Sequence, residues 1–302
     1  MIVAVVVTYQ PERTTLCRLL CALVPQVSFA VIVDNGSPAG IERECSEGLP
    51  QHLHGKVVVV SLEDNRGLAT AQNIGIAWAK KKGADYILLS DQDSLPHDAM
   101  VKELLSAAEH LRMREERLAC VGPRYLDPRH DNPPPFLRVQ GLRLKRLTCG
   151  GNPVMPVDYL IASGCLIPMD VLEKVGGMRD DLFIDYVDIE WGLRARRLGY
   201  QSFGVCAALM THCLGETPMW FFHRRVPVHS PLRHYYHFRN AILIYKQPGV
   251  PLNWKLVDGS RLLMRYGFYT FLAKPRFSHW RMMTLGIWHG LRGKGGKCGA
   301  AG

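Results

Sequence analysis

Two aspartates, Asp91 and Asp93, stand one residue apart directly after the apolar run 86–90. Hard divalent cations such as Mg²⁺ take oxygen ligands, often one or two carboxylates together with substrate phosphates. A metal at this point would offset the charge that develops on a departing diphosphate. Residues 91–94 would also suit an ordinary helix-capping turn, but their position at the end of a buried strand favours the metal site. His212 ends the apolar run 207–210, and it is either a structural histidine or a third ligand of the same metal.

Asp34 and Thr8 each end an apolar run near the N-terminus. The Asp34 carboxylate could accept a hydrogen bond from a base imide or a ribose hydroxyl, and the Thr8 backbone could border the same base. The alternative for Asp34 is an Asx turn, which the following Asn-Gly also favours.

Asn65 and Gly67 lie in a loop that enters a predicted helix. A helix N-terminus favours anions, and a glycine lets the backbone approach a ligand closely. The sequence therefore predicts a second contact region for a nucleotide diphosphate, with ordinary capping by Asn65 as the alternative.

Segment 183–194 contains three acidic residues, Asp185, Asp188 and Glu190. A sugar hydroxyl must lose its proton as it attacks, so that reaction needs a carboxylate general base. Asp188 could cap a helix over 188–198 and direct its free oxygen at the acceptor. Asp185 and Glu190 are rivals for this role, although Glu190 could simply pair with Arg194 at i+4.

The elements that would position these side chains alternate along the first 120 residues. The apolar runs are continuous, which indicates strands buried on both faces of a mostly parallel sheet flanked by helices. In such sheets, ligands bind at the carboxyl ends of the strands. We predict strands at 2–8, 30–33, 56–61, 86–90, 119–122, 157–162 and 202–205. We predict helices at 14–24, 40–47, 67–82, 98–116, 169–175 and 188–198, and an irregular loop at 127–152.

The C-terminal part has a different character. Residues 217–302 carry 14 Lys and Arg against one acid, a net charge of +13, whereas residues 1–216 carry 23 against 26, a net charge of −3. Aromatic residues interleave with these basic residues, and 254–273 and 279–292 are predicted helices. This composition is typical of helices lying in a membrane interface, or of a helical subdomain packed on the core. We therefore divide the chain into a catalytic α/β domain (1–216) and a C-terminal helical region (217–302).

The nine cysteines include no CxxC pair and predict neither a zinc site nor a disulfide framework. A reducing compartment fits this pattern. The first residues lack the basic region of a signal peptide, and no apolar run is long enough to predict a transmembrane helix.

Taken together, these motifs resemble those of family-2 glycosyltransferases of the GT-A fold, and in particular bacterial rhamnosyltransferases of O-antigen and related cell-surface polysaccharide synthesis. The resemblance spans about residues 2–216 and extends more loosely to 234–240. The matching segments are 6–9, 33–37, 65–69, 89–94, 163–164, 183–191 and 212–216.

The resemblance implies an inverting transfer of L-rhamnose from dTDP-L-rhamnose with Mg²⁺ or Mn²⁺. It implies that Asp34 binds the base, that Asp91 and Asp93 meet the metal and the diphosphate, and that His212 completes the coordination. It places the base at Asp188, with Asp185 as the alternative because the family's usual Glu-Asp pair is Val187-Asp188 here.

The implied acceptor is a glycan on a polyprenyl diphosphate, and the implied location is the cytoplasmic, anionic face of the cell membrane. A UDP-sugar donor such as UDP-galactose or UDP-glucose is the alternative within the same fold. A basic nucleic-acid-binding protein is the alternative of another class, and we expect no nucleic-acid partner. The sequence does not indicate the oligomeric state.

Overall fold

The structure is a computed structural model, and it describes most of the chain. The described residues are 1–37, 41–127, 134–150, 153–212, 218–221, 224–227 and 229–299.

Strands and helices alternate in the first half, and helices dominate after residue 230. The strands are β1 Ile2–Thr8, β2 Phe29–Asp34, β3 Val57–Ser61, β4 Tyr86–Asp91, β5 Leu95–Pro96, β6 Leu118–Leu126, β7 Phe136–Gln140, β8 Arg143–Leu147, β9 Val154–Val157, β10 Leu166–Pro168, β11 Gln201–Thr211, β12 Pro218–Phe221 and β13 Arg224–Pro227. The helices are α1 Arg13–Leu23, α2 Ile41–Gly48, α3 Leu68–Lys81, α4 Met100–Met113, α5 Met169–Val175, α6 Val187–Arg197, α7 Pro231–Tyr245, α8 Leu252–Phe271 and α9 Arg276–Leu291.

A nine-stranded sheet runs in the order β3-β2-β1-β4-β10-β6-β11-β5, with β9 paired to β11. The four strands β3, β2, β1 and β4 are parallel, and β6 and β11 are parallel. Strand β10 is antiparallel to both β4 and β6. The carboxyl ends of β1, β2 and β4 therefore meet at one edge, with Thr8 opposite Asp34 and Val7 opposite Asp91.

Both faces of β1, β2 and β4 are buried, as their continuous apolar sequences predict, whereas the edge strand β3 is half-buried. Ala4 and Val6 of β1 pack in a core that includes apolar residues of α1 and α4. Val3 and Val5, on the opposite face, pack in a core that includes apolar residues of α3, α5 and α6. Helices thus cover both faces of the sheet and leave its strand ends to form a site.

The three C-terminal helices form a third core, which includes Phe238 of α7, Trp254 of α8 and Met283 of α9. The contact between α7 and α9 depends on glycine, because a Cβ atom at Gly286 would lie 2.4 Å from the carbonyl oxygen of Tyr235. Tyr186 and Leu193 belong to the same core, so these helices pack on the segment around α6. None of the helices in the described ranges is long and apolar enough to cross a membrane.

Most predicted elements agree with the structure to within two or three residues, but three predictions were wrong. The predicted irregular loop 127–152 contains the β7–β8 hairpin, whose strands pair from Phe136 with Leu147 to Gln140 with Arg143. The strand predicted at 157–162 lies earlier, at β9, and β10 follows it. Helix α7 was not predicted.

The absence of a disulfide was also a wrong prediction. Cys149 and Cys206 form a disulfide, with Cα atoms 5.7 Å apart. Strand pairing between β9 and β11 brings together two cysteines that are 57 residues apart in sequence. Because this proximity arises from the sheet, cysteine spacing alone carries no signal for it.

Candidate active site

Asp91, Asp93 and His212 lie together at the carboxyl edge of the sheet. Each offers one ligand atom, and the three atoms lie within 4.8 Å of one another. Pairing of β5 with the last residues of β11 brings the turn after β4 against His212. Two carboxylate oxygens and one imidazole nitrogen suit Mg²⁺ or Mn²⁺, because both ions accept carboxylate and Mn²⁺ also tolerates imidazole. This set therefore fits the metal that the sequence predicts.

A buried serine pair supports two of these residues. Ser163 Oγ accepts a hydrogen bond from the Asp91 backbone N–H at 3.0 Å and donates one to Ser94 Oγ at 2.6 Å. Ser94 Oγ shares a further hydrogen bond with His212 Nδ1 at 2.8 Å. Hydrogen bonds to the second ring nitrogen fix the orientation of a ligand histidine. The sequence reasoning assigned neither serine a role, although both stand inside matched motifs.

The two aspartates at this edge differ in burial, which affects the ionisation of Asp91. Burial raises the pKa of Asp91, and the neighbouring Asp93 raises it further, whereas His212 and Arg233 oppose the rise. Asp93 differs in being open to solvent, since 52% of its side chain is exposed. A cation bound between the two aspartates would relieve their mutual repulsion.

Asp34 and Thr8 meet at the ends of β2 and β1. Asp34 Oδ1 accepts hydrogen bonds from Thr8 Oγ1 at 2.9 Å and Ser37 Oγ at 2.6 Å, and Oδ2 accepts one from the Ser37 N–H at 3.0 Å. The Asx-type turn is thus present. A carboxylate oxygen has two lone pairs, so Oδ2 keeps capacity for one further donor.

Asn65 and Gly67 hold the entry to α3 close to segment 183–186. Asn65 Oδ1 accepts hydrogen bonds from the Gly67 N–H at 3.0 Å and from the Asn35 side chain at 3.1 Å. Gly67 has a φ of +91°, and a Cβ atom there would lie 2.6 Å from Phe183 Cδ2. Only glycine suits both the conformation and the space, so this loop and segment 183–186 fit directly against each other.

Segment 183–186 is strained. Phe183, Asp185 and Tyr186 all have φ near +65°, in the left-handed region that non-glycine residues rarely adopt. Such conformations persist where the surrounding structure imposes them, and they cluster at active sites. The Asn240 side-chain amide provides one restraint, since its Nδ2 donates to the carbonyl oxygens of Leu182, Ile184 and Asp185, each at 2.8 Å.

Arg239 extends this restraint from the same turn of α7. Its Nη2 donates to the carbonyl oxygens of Asp181 at 3.1 Å and Leu182 at 2.8 Å, and its Nε donates to Asn240 Oδ1 at 2.9 Å. Both side chains are fully buried. We call Arg239 and Asn240 the carbonyl clamp. The clamp thus binds carbonyl groups on both sides of Phe183, the residue that lies against Gly67.

Asp188 follows this segment in the first turn of α6. The helix begins at Val187 with Tyr186 as the N-cap, so the prediction that Asp188 caps it was wrong by two residues. Burial raises the pKa of Asp188 to about 6, and the charge of Asp91 adds to the rise, whereas hydrogen bonds from backbone N–H groups, including that of Ile189, oppose it. One of these N–H groups belongs to Ala162, whose neighbour Ser163 binds the Asp91 backbone, so Asp188 lies close to the predicted metal ligands.

Asp185 and Glu190 differ from Asp188 in their partners. Asp185 Oδ1 accepts a hydrogen bond from Arg233 Nε at 3.4 Å, while Oδ2 is buried without a hydrogen-bond partner among the described residues. Burial raises the pKa of Asp185. Glu190 forms the ion pair with Arg194 that its spacing allows, at 2.9 Å, and is 2% exposed. This pairing leaves Asp188 and Asp185 as the candidates for the general base.

Comparison with known proteins shows which family this chain belongs to. Residues 4–156 match the family described as Glycosyl transferase family 2. The dTDP-rhamnosyl transferase RfbF of Shigella flexneri is 32% identical over 294 residues, which cover 97% of this chain and 96% of that protein. The galactofuranosyltransferase GlfT1 of Mycolicibacterium smegmatis is 26% identical over 293 residues, 90% of each chain.

Two solved structures share the fold. GalNAc-T7 with UDP, GalNAc and Mn²⁺ has a TM-score of 0.63 at 14% identity, covering 97% of this chain and 57% of that one. Residues 1–349 of S. aureus TarS in complex with UDP-GlcNAc have a TM-score of 0.57 at 15% identity, covering 96% and 81%. These neighbours are GT-A glycosyltransferases, which confirms the predicted fold class. The chain belongs to glycosyl transferase family 2.

Removing the clamp amide should destabilise the protein. We expect Asn240→Ala to lower the free energy of unfolding by at least about 2 kcal/mol, because it removes the side-chain donor of the Ile184 and Asp185 carbonyl oxygens. Asn253→Ala is the control, since Asn253 donates one hydrogen bond to Gly141 near the surface and its loss should cost less than about 1 kcal/mol. Urea unfolding measures the free energy of unfolding of both variants. Equal losses would contradict a restraining role of Asn240 on segment 182–185.

Proposed function

We propose that this family-2 glycosyltransferase is an inverting rhamnosyltransferase that uses dTDP-L-rhamnose and extends a lipid-linked glycan, as in O-antigen or related polysaccharide synthesis. The observation that carries the proposal is the grouping of Asp91, Asp93 and His212 near the buried carboxylate Asp188. The rhamnosyl donor is supported by the 32% identity to RfbF along nearly the whole chain.

The donor would lie along the carboxyl edge of β1, β2 and β4. In this proposal Asp34 and the Thr8 backbone bind the base, and Asn65 and Gly67 border the nucleotide. Asp91, Asp93 and His212 hold Mg²⁺ or Mn²⁺. When bound, the ion supplies positive charge that stabilises the diphosphate leaving group.

Asp188 is the proposed general base. Its carboxylate takes the proton from the acceptor hydroxyl while that oxygen forms a bond to C1 of the sugar. The bond between C1 and the diphosphate oxygen breaks with its electron pair, which releases dTDP and inverts the anomeric centre. A pKa of about 6 keeps Asp188 ionised at neutral pH and makes it a stronger base than an ordinary aspartate.

The donor is tested first by calorimetry of the full chain with dTDP-L-rhamnose, UDP-galactose and UDP-glucose, each with and without Mg²⁺. We expect binding of dTDP-L-rhamnose that depends on the metal, and we expect Asp93→Ala to abolish this dependence because it removes one ligand. Arg18→Gln, a change on the exposed surface of α1, is the control. Preference for a UDP-sugar would keep the fold and discard the rhamnosyl donor.

The base assignment predicts a pH dependence. A general base works only when ionised, so kcat/KM should fall about tenfold per pH unit as the pH drops below about 6. Asp188→Asn should lower turnover by about 10²- to 10⁴-fold and preserve donor binding. Asp185→Asn should have the smaller effect and keep the acid limb of the profile. The reverse pattern would move the base to Asp185.

Membrane association is the second part of the proposal. Apolar side chains on one face of α8 are exposed, among them Leu256, Leu263 and Phe271, and α9 exposes Phe277, Trp280 and Trp288. Residues 252–292 carry seven Lys and Arg and one acid. An apolar face with basic neighbours fits the headgroup region of an anionic bilayer. The opposite face of α8 and α9 packs in the third core, as the alternative of a packed helical subdomain predicts.

Vesicle binding tests this surface. We expect the double variant Phe277→Ser/Trp280→Ser to bind phosphatidylglycerol vesicles at least about tenfold more weakly, because it removes two large apolar side chains from the interface. Met113→Ser is the control, as Met113 is 76% exposed on α4. Wild-type binding should weaken with added salt. Equal partitioning of the variants, or binding to DNA and not to vesicles, would refute the proposal.

A further inference from the structure

A second charged cluster lies beside the strained segment, on α7 and α8. Arg233 and Arg265 stand among three histidines, His229, His234 and His237. Arg265 Nη1 donates a hydrogen bond to His237 Nε2 at 2.8 Å, and the ring centroids of His229 and His234 lie 6.2 Å apart. Arg233 Nε donates to Asp185 Oδ1 of the strained segment at 3.4 Å. None of these five residues belongs to the predicted metal or base positions.

The cluster carries more positive charge than its neighbours neutralise. Burial lowers the pKa of His229 to about 4 and that of His234 to about 3, and the two arginines lower both further. The same causes hold the pKa of His237 well below its usual range. The histidines are therefore neutral at pH 7, and the charge comes from the two guanidinium groups.

Among the residues that the structure describes, Asp185 is the only carboxylate that forms an ion pair with either arginine. Asp185 Oδ1 pairs with Arg233 Nε at 3.4 Å, whereas Arg265 has no ion-pair partner among the described residues. His229 Nδ1 and His234 Nε2 are also buried without hydrogen-bond partners there. Buried polar groups are normally paired, so unpaired atoms in one small region indicate a ligand or water.

We propose that Arg233 and Arg265, with the adjacent histidines, form a binding site for a phosphate or diphosphate group of a substrate. Guanidinium groups bind phosphate oxygens through charge-assisted, often bidentate hydrogen bonds. The 3.4 Å hydrogen bond from Arg233 Nε to Asp185 Oδ1 places the site next to one of the two candidate bases. This inference rests on the proposed function, in which two substrates carry such a group. They are the lipid-linked acceptor and the nucleotide-sugar donor, each with a diphosphate.

Calorimetry with inorganic pyrophosphate, in the absence of divalent cations, tests the site on the full chain. Losing one charged hydrogen-bond donor should weaken binding about tenfold or more, so we expect this loss for Arg265→Gln and for Arg233→Gln. Arg265→Lys, which keeps the charge but loses the bidentate geometry, should bind more tightly than Arg265→Gln and more weakly than the wild type. Arg276→Gln is the matched control, because it removes one exposed charge from the same basic region.

Two further probes identify the source of the phosphate. A greater loss of affinity for farnesyl diphosphate in the arginine variants assigns the site to the acceptor, and a greater loss for dTDP with Mg²⁺ assigns it to the donor. Thermal unfolding of each variant shows that the fold is retained. If the wild type does not bind pyrophosphate, or if Arg276→Gln weakens binding as much as the other two variants, the proposal is overturned. Failure of dTDP-L-rhamnose to bind would instead refute the donor and leave the pyrophosphate result unaffected.

Discussion

The candidate active site depends on the backbone carbonyl oxygens of residues 181–185, which accept no hydrogen bonds of a regular strand or helix ladder. The carbonyl clamp supplies donors from α7 to four of these oxygens, those of Asp181, Leu182, Ile184 and Asp185. This allows three of the four residues 183–186 to keep left-handed backbone angles. Buried carbonyl groups without donors are costly, so the clamp and the strained segment require each other. Asp185 lies within this restrained segment, and Asp188 follows it in the first turn of α6.

Phe183 joins the two sides of the site. Its carbonyl oxygen and ring lie against Gly67 at the start of α3, while its ring stacks on Tyr236 of α7 with centroids 4.9 Å apart. Phe183 therefore connects the loop before α3 with the C-terminal helices. Because Phe183 packs against both Tyr236 and Gly67, we expect a shift of α7 to move the backbone at Gly67.

The sequence was informative wherever an apolar run ended in a polar residue. The positions of Thr8, Asp34 and Asp91 followed from strand ends alone, and the fold class followed from the alternation of strands and helices. Helix α7 was missed because the side chains it buries include His234, Arg239 and Asn240, which hide the apolar period of an ordinary helix. The serine pair and the disulfide depend on strand pairings distant in sequence. The roles of the acidic residues remain predictions.

The glycine contact between α7 and α9 has a consequence for engineering this protein. Gly286 and Gly290 allow α9 to lie against the α7 backbone at the very residues, Tyr235 and Arg239, that precede or form the clamp. Segment 181–186 and helices α7 and α9 thus act as one hydrogen-bonded and packed module. A chimaera that exchanges C-terminal helices between relatives to alter acceptor choice would have to transplant that segment with them, since the helices alone would arrive without their matching carbonyl groups.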